Sequence, residues 1–142
     1  MGTLTLVFDG YCGFCTRSVQ WIVRLDRHRR VRVVPYQASG VLETYGVTAA
    51  EGDAAAWAIL DGAERLRGAE AVNAAVGAAL GTRAPLAVYR LPGMRRLQDA
   101  VYAWVARNRR RFRGVTPWCV AHPEAGCGKA PAACGLPARP RP

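Results

Sequence analysis

The sequence predicts an α/β fold in which a short buried sheet is covered by helices. Two patterns support this: nearly continuous apolar runs of a few residues, typical of strands buried on both faces, and longer segments with apolar residues at helical spacing. The two patterns alternate from the N-terminus of the 142-residue chain. A single domain of this size buries about two-thirds of the surface that its unfolded chain exposes, so it needs no disulfide or metal to fold.

The first three elements form a β-α-β unit. Residues 4–8 predict a strand that ends at Asp9 and Gly10, and residues 12–27 predict a helix with its apolar side chains on one face. Residues 31–36 predict the second strand. The intervening connection is long enough for the right-handed crossover that joins two parallel strands.

The elements that follow are shorter. They are a helix over residues 41–45, strands over residues 55–60 and 64–67, and a helix over residues 69–80 that ends at Gly81. An Asp-Gly pair at positions 61 and 62 is a favoured hairpin turn, so we expect the two strands to pair antiparallel. The resulting order, β-α-β-(α)-β-β-α, is that of a thioredoxin-like core.

An added C-terminal helix and an irregular tail follow this core. Residues 94–112 predict a long helix in which one face carries the apolar side chains Leu97, Val101, Trp104 and Val105. Prolines recur from Pro117 to the C-terminus and prevent another long helix. We therefore expect a domain over residues 1–114 and a Pro- and Cys-rich tail over residues 115–142, the end of which is mobile.

The chain is strongly basic, with 20 basic and 10 acidic residues. Arg107 and the arginines at positions 109–111 crowd the end of the last predicted helix, where the helix dipole favours cations. The basic residues 107–113 permit docking to anionic lipid or nucleic acid, although a solvated surface explains them more simply. No apolar run reaches the roughly 18 residues of a membrane span and no secretory signal is evident, so the sequence predicts a cytoplasmic protein.

The strongest chemical signal is Cys12-Gly13-Phe14-Cys15, where the first strand gives way to the first helix. Unpaired N–H groups at a helix N-terminus stabilise a thiolate and lower its pKa, which makes Cys12 the candidate nucleophile. Cys15 lies one turn further on the same face, where it can attack a mixed disulfide formed at Cys12. Tyr11, Gly13 and Phe14 are expected to form the rim that meets a substrate.

Other interpretations of these residues stay open. The two cysteines can instead hold Cu(I) or zinc through soft thiolates, or pack as small apolar side chains. Asp9 can accept hydrogen bonds from backbone N–H groups of the turn, a structural role that we favour. It can also exchange a proton with a cysteine thiol, which requires a carboxyl pKa raised by burial.

The tail carries a second set of candidate ligands: Cys119, His122, Cys127 and Cys134. Three cysteines and one histidine can hold zinc tetrahedrally, but their spacing matches no established finger. Unpaired thiols, or a disulfide such as Cys127 with Cys134, are the alternatives. The five cysteines are an odd number, which excludes a fully paired disulfide scaffold and favours redox or metal chemistry in a cytoplasmic chain.

Several motifs, taken in order, resemble the DCC family of thiol-disulfide oxidoreductases. They are Asp9-Gly10-x-Cys12-x-x-Cys15, Gly68-Ala69-Glu70-Ala71-Val72, Leu91-Pro92, Asp99-Ala100-Val101-Tyr102 and Ala106-Arg107-Asn108-Arg109. The resemblance covers residues 4–112. It implies a thioredoxin-like fold and dithiol redox activity, with Asp9, Cys12 and Cys15 at the motif positions.

The sequence and this resemblance together predict an enzyme that exchanges thiols with a disulfide-containing protein or a small thiol. The redox group is the Cys12–Cys15 disulfide, with no other cofactor expected apart from the zinc considered for the tail. The sequence does not identify the reductant that recycles the dithiol. Thioredoxins place a cis-proline just before their third strand, whereas this chain has no proline between Pro35 and Pro85.

Overall fold

The computed structural model describes residues 3–60 and 64–128. Four strands in these residues form one mixed sheet: β1 (Leu4–Phe8), β2 (Val31–Pro35), β3 (Trp57–Leu60) and β4 (Glu64–Arg67). The strand order is β2-β1-β3-β4, with β1 parallel to β2 and the other neighbours antiparallel. This mixed α/β architecture is consistent with a thioredoxin-like core and confirms the predicted fold class.

Helices cover the sheet. Those in the described residues are α1 (Gly13–Leu25), α2 (Val41–Tyr45), α3 (Ala49–Ala54), α4 (Ala69–Leu80), α5 (Ala84–Tyr89), α6 (Met94–Asn108) and α7 (Trp118–Ala121). Short 3-10 turns follow α6 and α7, at Arg109–Arg111 and Pro123–Ala125. Within residues 3–60 and 64–128, no helix is long and apolar enough to cross a membrane.

The main core lies between the sheet and the helices α1 and α4. Leu6 and Phe8 of β1 are buried there together with Val19 of α1 and with Ala71 and Ala75 of α4. The small side chains of α4 meet the larger ones of β1, so the two surfaces interdigitate at the density of a protein interior. This packing fixes the start of α1 against the end of β1.

The opposite face of the sheet has a smaller core. Val7 of β1 and Ile59 of β3 pack there with Tyr36 and with Val41 of α2. Consecutive residues of a strand point to opposite faces, so β1 contributes to both cores. Burial on both faces explains why the first strand is a nearly continuous apolar run.

Three short helices of four to six residues, α3, α5 and α7, are not predicted from the sequence. α3 nevertheless starts with a capping box. Thr48 Oγ1 accepts a hydrogen bond from Glu51 N at 3.1 Å, and Glu51 Oε1 accepts one from Thr48 N at 3.0 Å. The hairpin of β3 and β4 is confirmed, although β3 begins at Trp57 and the predicted Asp-Gly turn lies outside the described residues.

The long C-terminal helix ends earlier than predicted. α6 stops at Asn108, and the next three residues tighten into the 3-10 turn, so the helix predicted up to residue 112 is wrong over its last turn. The apolar face of α6 does not enter the core. Three of its side chains are 57%, 53% and 54% exposed: Leu97, Val101 and Trp104.

Residues 112–128, which we call the C-terminal segment, return to the start of α1. Val115 N donates a hydrogen bond to Gly13 O at 3.2 Å, and Cys119 N donates one to Gly10 O at 2.9 Å. These backbone contacts hold the segment against the loop between β1 and α1. The predicted mobile end of the tail lies outside the described residues.

Candidate dithiol site

Cys12 and Cys15 lie at the first turn of α1, directly after β1 and its short loop. Cys12 is the N-cap residue, with extended backbone angles of φ −94° and ψ 117°. Its Sγ accepts a hydrogen bond from Cys15 N at 3.2 Å. Both cysteines are half-buried free thiols. The predicted placement of the pair at a strand-to-helix turn is therefore confirmed.

The two thiols differ in acidity. The pKa of Cys12 is lowered to about 7, chiefly because the Cys15 side chain donates a hydrogen bond to it, while burial acts in the opposite direction. The Cys15 N–H and the positive charge of Arg109 lower the pKa of Cys12 further. The pKa of Cys15 is raised, because its proton is held in the hydrogen bond to Cys12 and because the thiol is buried. At neutral pH, Cys12 is the thiol that ionises.

Arg109 lies beside both thiols, although 94 residues separate it from Cys15 in the sequence. Its Nη1 donates to Cys15 Sγ at 3.7 Å, and its Nη2 pairs with Asp9 Oδ2 at 3.1 Å. A second ion pair, from Nη2 to Asp53 Oδ1 at 3.3 Å, reaches the surface. The interpretation of Arg109 as a cation explained by the helix dipole alone is wrong, because the 3-10 turn directs its side chain into the site.

Asp9 is almost fully buried, with 3% of its surface exposed. Its Oδ1 accepts hydrogen bonds from Tyr11 N at 3.0 Å and from Gln37 Nε2 at 2.7 Å. The contact with Tyr11 N is the kind of backbone hydrogen bond that a structural role for Asp9 requires. Because its Oδ2 meets Arg109, the carboxylate also fixes the position of the guanidinium beside the thiols.

Gln37 is a site residue that sequence reasoning missed. Its Oε1 accepts a hydrogen bond from Gly10 N at 2.9 Å while its amide nitrogen donates to Asp9. The parallel register pairs Phe8 with Pro35, which brings Gln37 level with Gly10. The strand register was the only signal that could have identified Gln37, and it is known only once β1 and β2 are paired.

The C-terminal segment covers the predicted substrate rim. Each rim residue contacts it: the Tyr11 hydroxyl donates to the carbonyl of Gly128, Gly13 O accepts from Val115 N at 3.2 Å, and the ring centroids of Phe14 and Phe112 lie 5.2 Å apart. Part of the surface next to Cys12 is therefore occupied by the chain itself, although the rim residues stay half-buried.

Two glycines allow this close approach. A Cβ on Gly13 would lie 2.6 Å from Val115 O, and a Cβ on Gly114 would lie 2.6 Å from Phe14 N, both far inside contact distance. No cis peptide bond occurs in residues 3–60 or 64–128. The backbone at positions 114 and 115 thus lies against the turn that carries Cys12 and Cys15. The described residues hold no cis-proline.

We expect Gly114→Ala to destabilise the protein by about 1–3 kcal/mol, because its new Cβ forces two backbone segments apart. Urea unfolding measures the change. Val120→Ala in the same segment is the matched control, since this side chain is 52% exposed and its loss costs little. Equal stability of the two variants would contradict the close packing at Gly114.

Cys119 and Cys127 form a disulfide, with their Cα atoms 5.9 Å apart. The pairing of Cys127 with Cys134 is therefore wrong for this structure, because Cys127 is already bonded, and Cys134 lies outside the described residues. Zinc binds thiolates, so the zinc set predicted with His122 would require reduction of this disulfide. The His122 ring is stacked on Trp118, with centroids 4.2 Å apart.

Metal binding and polyanion binding both stay predictions. Among the residues that the structure describes, no three or more His, Cys, Asp or Glu side chains are grouped to hold a metal ion. A soft metal at the dithiol would therefore depend on two thiolates. The arginines that remain exposed near the end of α6, and available to an anionic lipid or nucleic acid, are Arg107, Arg110, Arg111 and Arg113.

The fold and the site together define a class, that of thioredoxin-like proteins with a Cys-x-x-Cys dithiol at the start of the first helix. The family model for DCC1-like thiol-disulfide oxidoreductase matches residues 6–115, and the chain belongs to this family. Membership indicates thiol-disulfide redox chemistry. No curated protein and no solved structure matches the chain.

Proposed function

We propose that this protein is a thiol-disulfide oxidoreductase in which Cys12 attacks and Cys15 resolves. The observation that carries the proposal is the division of acidity within the dithiol: the pKa of Cys12 is lowered to about 7, and that of Cys15 is raised. Only the thiolate is nucleophilic, so the two cysteines have different roles at neutral pH. Membership of the DCC1-like family supports the same chemistry.

The reaction proceeds in two exchanges. The Cys12 thiolate attacks one sulfur of a substrate disulfide, a mixed disulfide forms, and the other substrate sulfur leaves as a thiolate that takes up a proton. Cys15 then loses its proton and attacks Cys12 Sγ. The Cys12–Cys15 disulfide forms, and the second substrate sulfur is released as a thiol.

The environment of Cys15 changes between these exchanges. Its pKa is raised first by the hydrogen bond to Cys12 and then by burial, so its proton stays in place while Cys12 is a thiolate. Once Cys12 is bonded to a substrate sulfur, the negative charge that accepts this hydrogen bond is gone. The guanidinium of Arg109, 3.7 Å from Cys15 Sγ, then stabilises the second thiolate. Asp9 acts in this scheme by positioning Arg109.

The substrate is a small disulfide or a disulfide-containing protein, and the covered rim favours the small one. A protein loop needs several residues of free surface beside the nucleophile, whereas Tyr11, Gly13 and Phe14 are all in contact with the C-terminal segment. A small disulfide needs access only to the half-buried Cys12 sulfur.

The pH dependence of Cys12 alkylation tests the proposal. The rate of its reaction with iodoacetamide is expected to rise with a midpoint near pH 7, because the pKa of Cys12 is lowered to about 7 and only the thiolate reacts. Cys15→Ala removes the side-chain donor and should move the midpoint up, toward the ordinary thiol value of 9.0. Cys15→Ser keeps an O–H donor and serves as the matched control.

Two outcomes would count against this function. A wild-type midpoint near the ordinary value, with no Cys12–Cys15 disulfide formed in a glutathione buffer, would leave the dithiol without redox chemistry. Stoichiometric copper or zinc in protein purified under reducing conditions, lost in the Cys12→Ser/Cys15→Ser variant, would favour a metal-binding module instead.

A further inference from the structure

The disulfide of the C-terminal segment lies against the loop that carries the nucleophile. Cys119 is 6% exposed, and its N–H donates to Gly10 O at 2.9 Å. A Cβ on Gly10 would overlap with Cys119 Sγ, so the absence of a side chain at Gly10 lets the sulfur reach the backbone two residues before Cys12. A second cysteine pair is thus held beside the first.

One buried hydroxyl connects the nucleophile to the residue before Cys119. Thr16 Oγ1 donates a hydrogen bond to Cys12 O at 2.9 Å and accepts one from Trp118 N at 3.0 Å. Thr16 is 1% exposed, so water does not compete for these bonds. Thr16 therefore links the backbone of Cys12 to that of the residue before Cys119.

A second connection joins the residue before Cys12 to the residue after Cys127. The Tyr11 hydroxyl, on the residue before Cys12, donates to the carbonyl of Gly128, on the residue after Cys127. The two connections hold both ends of the short disulfide loop on the dithiol turn. Both ends of the disulfide loop therefore contact the residues that carry the nucleophile, one at Tyr11 and the other, through Thr16, at the Cys12 carbonyl.

We infer that the Cys119–Cys127 disulfide is a second redox site, which exchanges with Cys12 and Cys15 and relays electrons between this dithiol and an external thiol or disulfide. The inference rests on the redox function proposed for Cys12 and Cys15. In this relay, the first disulfide that Cys12 attacks belongs to the same chain.

The exchange balances within the protein. The Cys12 thiolate attacks Cys119 Sγ, a bond between these two sulfurs forms, and the Cys119–Cys127 bond breaks. Cys127 leaves as a thiolate and takes a proton from water, to which it is partly exposed. Cys15 then gives up its proton and attacks Cys12 Sγ, so that the Cys12–Cys15 bond forms and the Cys12–Cys119 bond breaks. Cys119 leaves as a thiolate and takes up this proton. Two electrons pass to the segment, so the Cys12–Cys15 pair is oxidised and the Cys119–Cys127 pair is reduced.

A double variant captures the intermediate. In a Cys134→Ser background, Cys15→Ser/Cys127→Ser keeps the two sulfurs that the first step joins and removes the other cysteines of the chain. After equilibration in a glutathione buffer and alkylation, tryptic mass spectrometry should find residues 1–17 linked to residues 114–129 through Cys12 and Cys119 in most molecules. The matched control is Cys15→Ser/Cys119→Ser, in which we expect at least tenfold less of the link through Cys127. Equal yields, or only glutathione adducts, would overturn the assignment.

The relay itself is tested by a rate. Dithiothreitol should reduce the Cys119–Cys127 disulfide of the wild-type protein at least tenfold faster than that of Cys12→Ser, because the buried Cys119 sulfur is reached through Cys12. Equal rates would overturn the relay. The Cys119→Ser/Cys127→Ser variant separates the two proposals: if it still exchanges Cys12 with oxidised glutathione while the relay test fails, the proposed function stands and the relay does not.

Discussion

Cys12→Ser is expected to lower the rate of reduction of a small aliphatic disulfide by about 10³-fold or more, because the variant lacks the atom that forms the mixed disulfide. A serine hydroxyl stays protonated at neutral pH, whereas the pKa of the Cys12 thiol is lowered to about 7. The measurement is the release of substrate thiol under excess reductant. The helix N-cap survives the change, since serine is a favoured N-cap residue.

Cys15→Ser complements Cys12→Ser, because it tests the resolving step. It keeps the nucleophile but lacks the resolving thiol, so one equivalent of substrate should remain attached to Cys12. Intact-protein mass spectrometry detects the added half-disulfide, and dithiothreitol should remove it. Full turnover by either variant would sink the division of roles between the two cysteines.

The second large effect concerns the buried ion pair. Arg109→Met should lower the free energy of unfolding by about 3 kcal/mol, because it leaves the Asp9 carboxylate buried without its cation. The Arg109 side chain is 15% exposed and that of Asp9 is 1% exposed, so solvent screens the pair only weakly. Urea unfolding measures the loss. Arg110→Met, in the same 3-10 turn but at an exposed position, is the matched control and should cost little.

The same pair has opposite effects on the nucleophile. The positive charge of Arg109 lowers the pKa of Cys12, and the negative charge of Asp9 raises it. Arg109→Met should therefore move the alkylation midpoint of Cys12 to higher pH, and Asp9→Asn should move it to lower pH. A general loosening of the site would shift both variants in one direction, so shifts of the same sign would refute the electrostatic explanation.

The features that the sequence predicted correctly depend on short-range patterns. β1 is a nearly continuous apolar run, α1 follows it at helical spacing, and α4 ends at Gly81 because that residue adopts a φ of 75°. The placement of Cys12 at the N-cap follows directly from the order of strand and helix. Each of these inferences needs only a few consecutive residues.

The remaining parts of the site depend on contacts between distant segments. Helical periodicity treats Arg109 as one of several arginines at a helix end, and only its place in the motif Ala106-Arg107-Asn108-Arg109 distinguishes it from Arg110. Helical periodicity likewise places Leu97 and Trp104 on one face of α6 without showing that this face is exposed. The prolines after Gly114 predict an irregular tail but not that it returns to the dithiol.

The separation of 94 residues between Cys15 and Arg109 has a consequence for biosynthesis. A chain is synthesised from its N-terminus, so the cysteine pair leaves the ribosome long before its cation does. Until residue 109 is available, the nascent chain carries Cys12 without the charge that contributes to its acidity. The nucleophile therefore gains the contribution of Arg109 only after residue 109 has been translated.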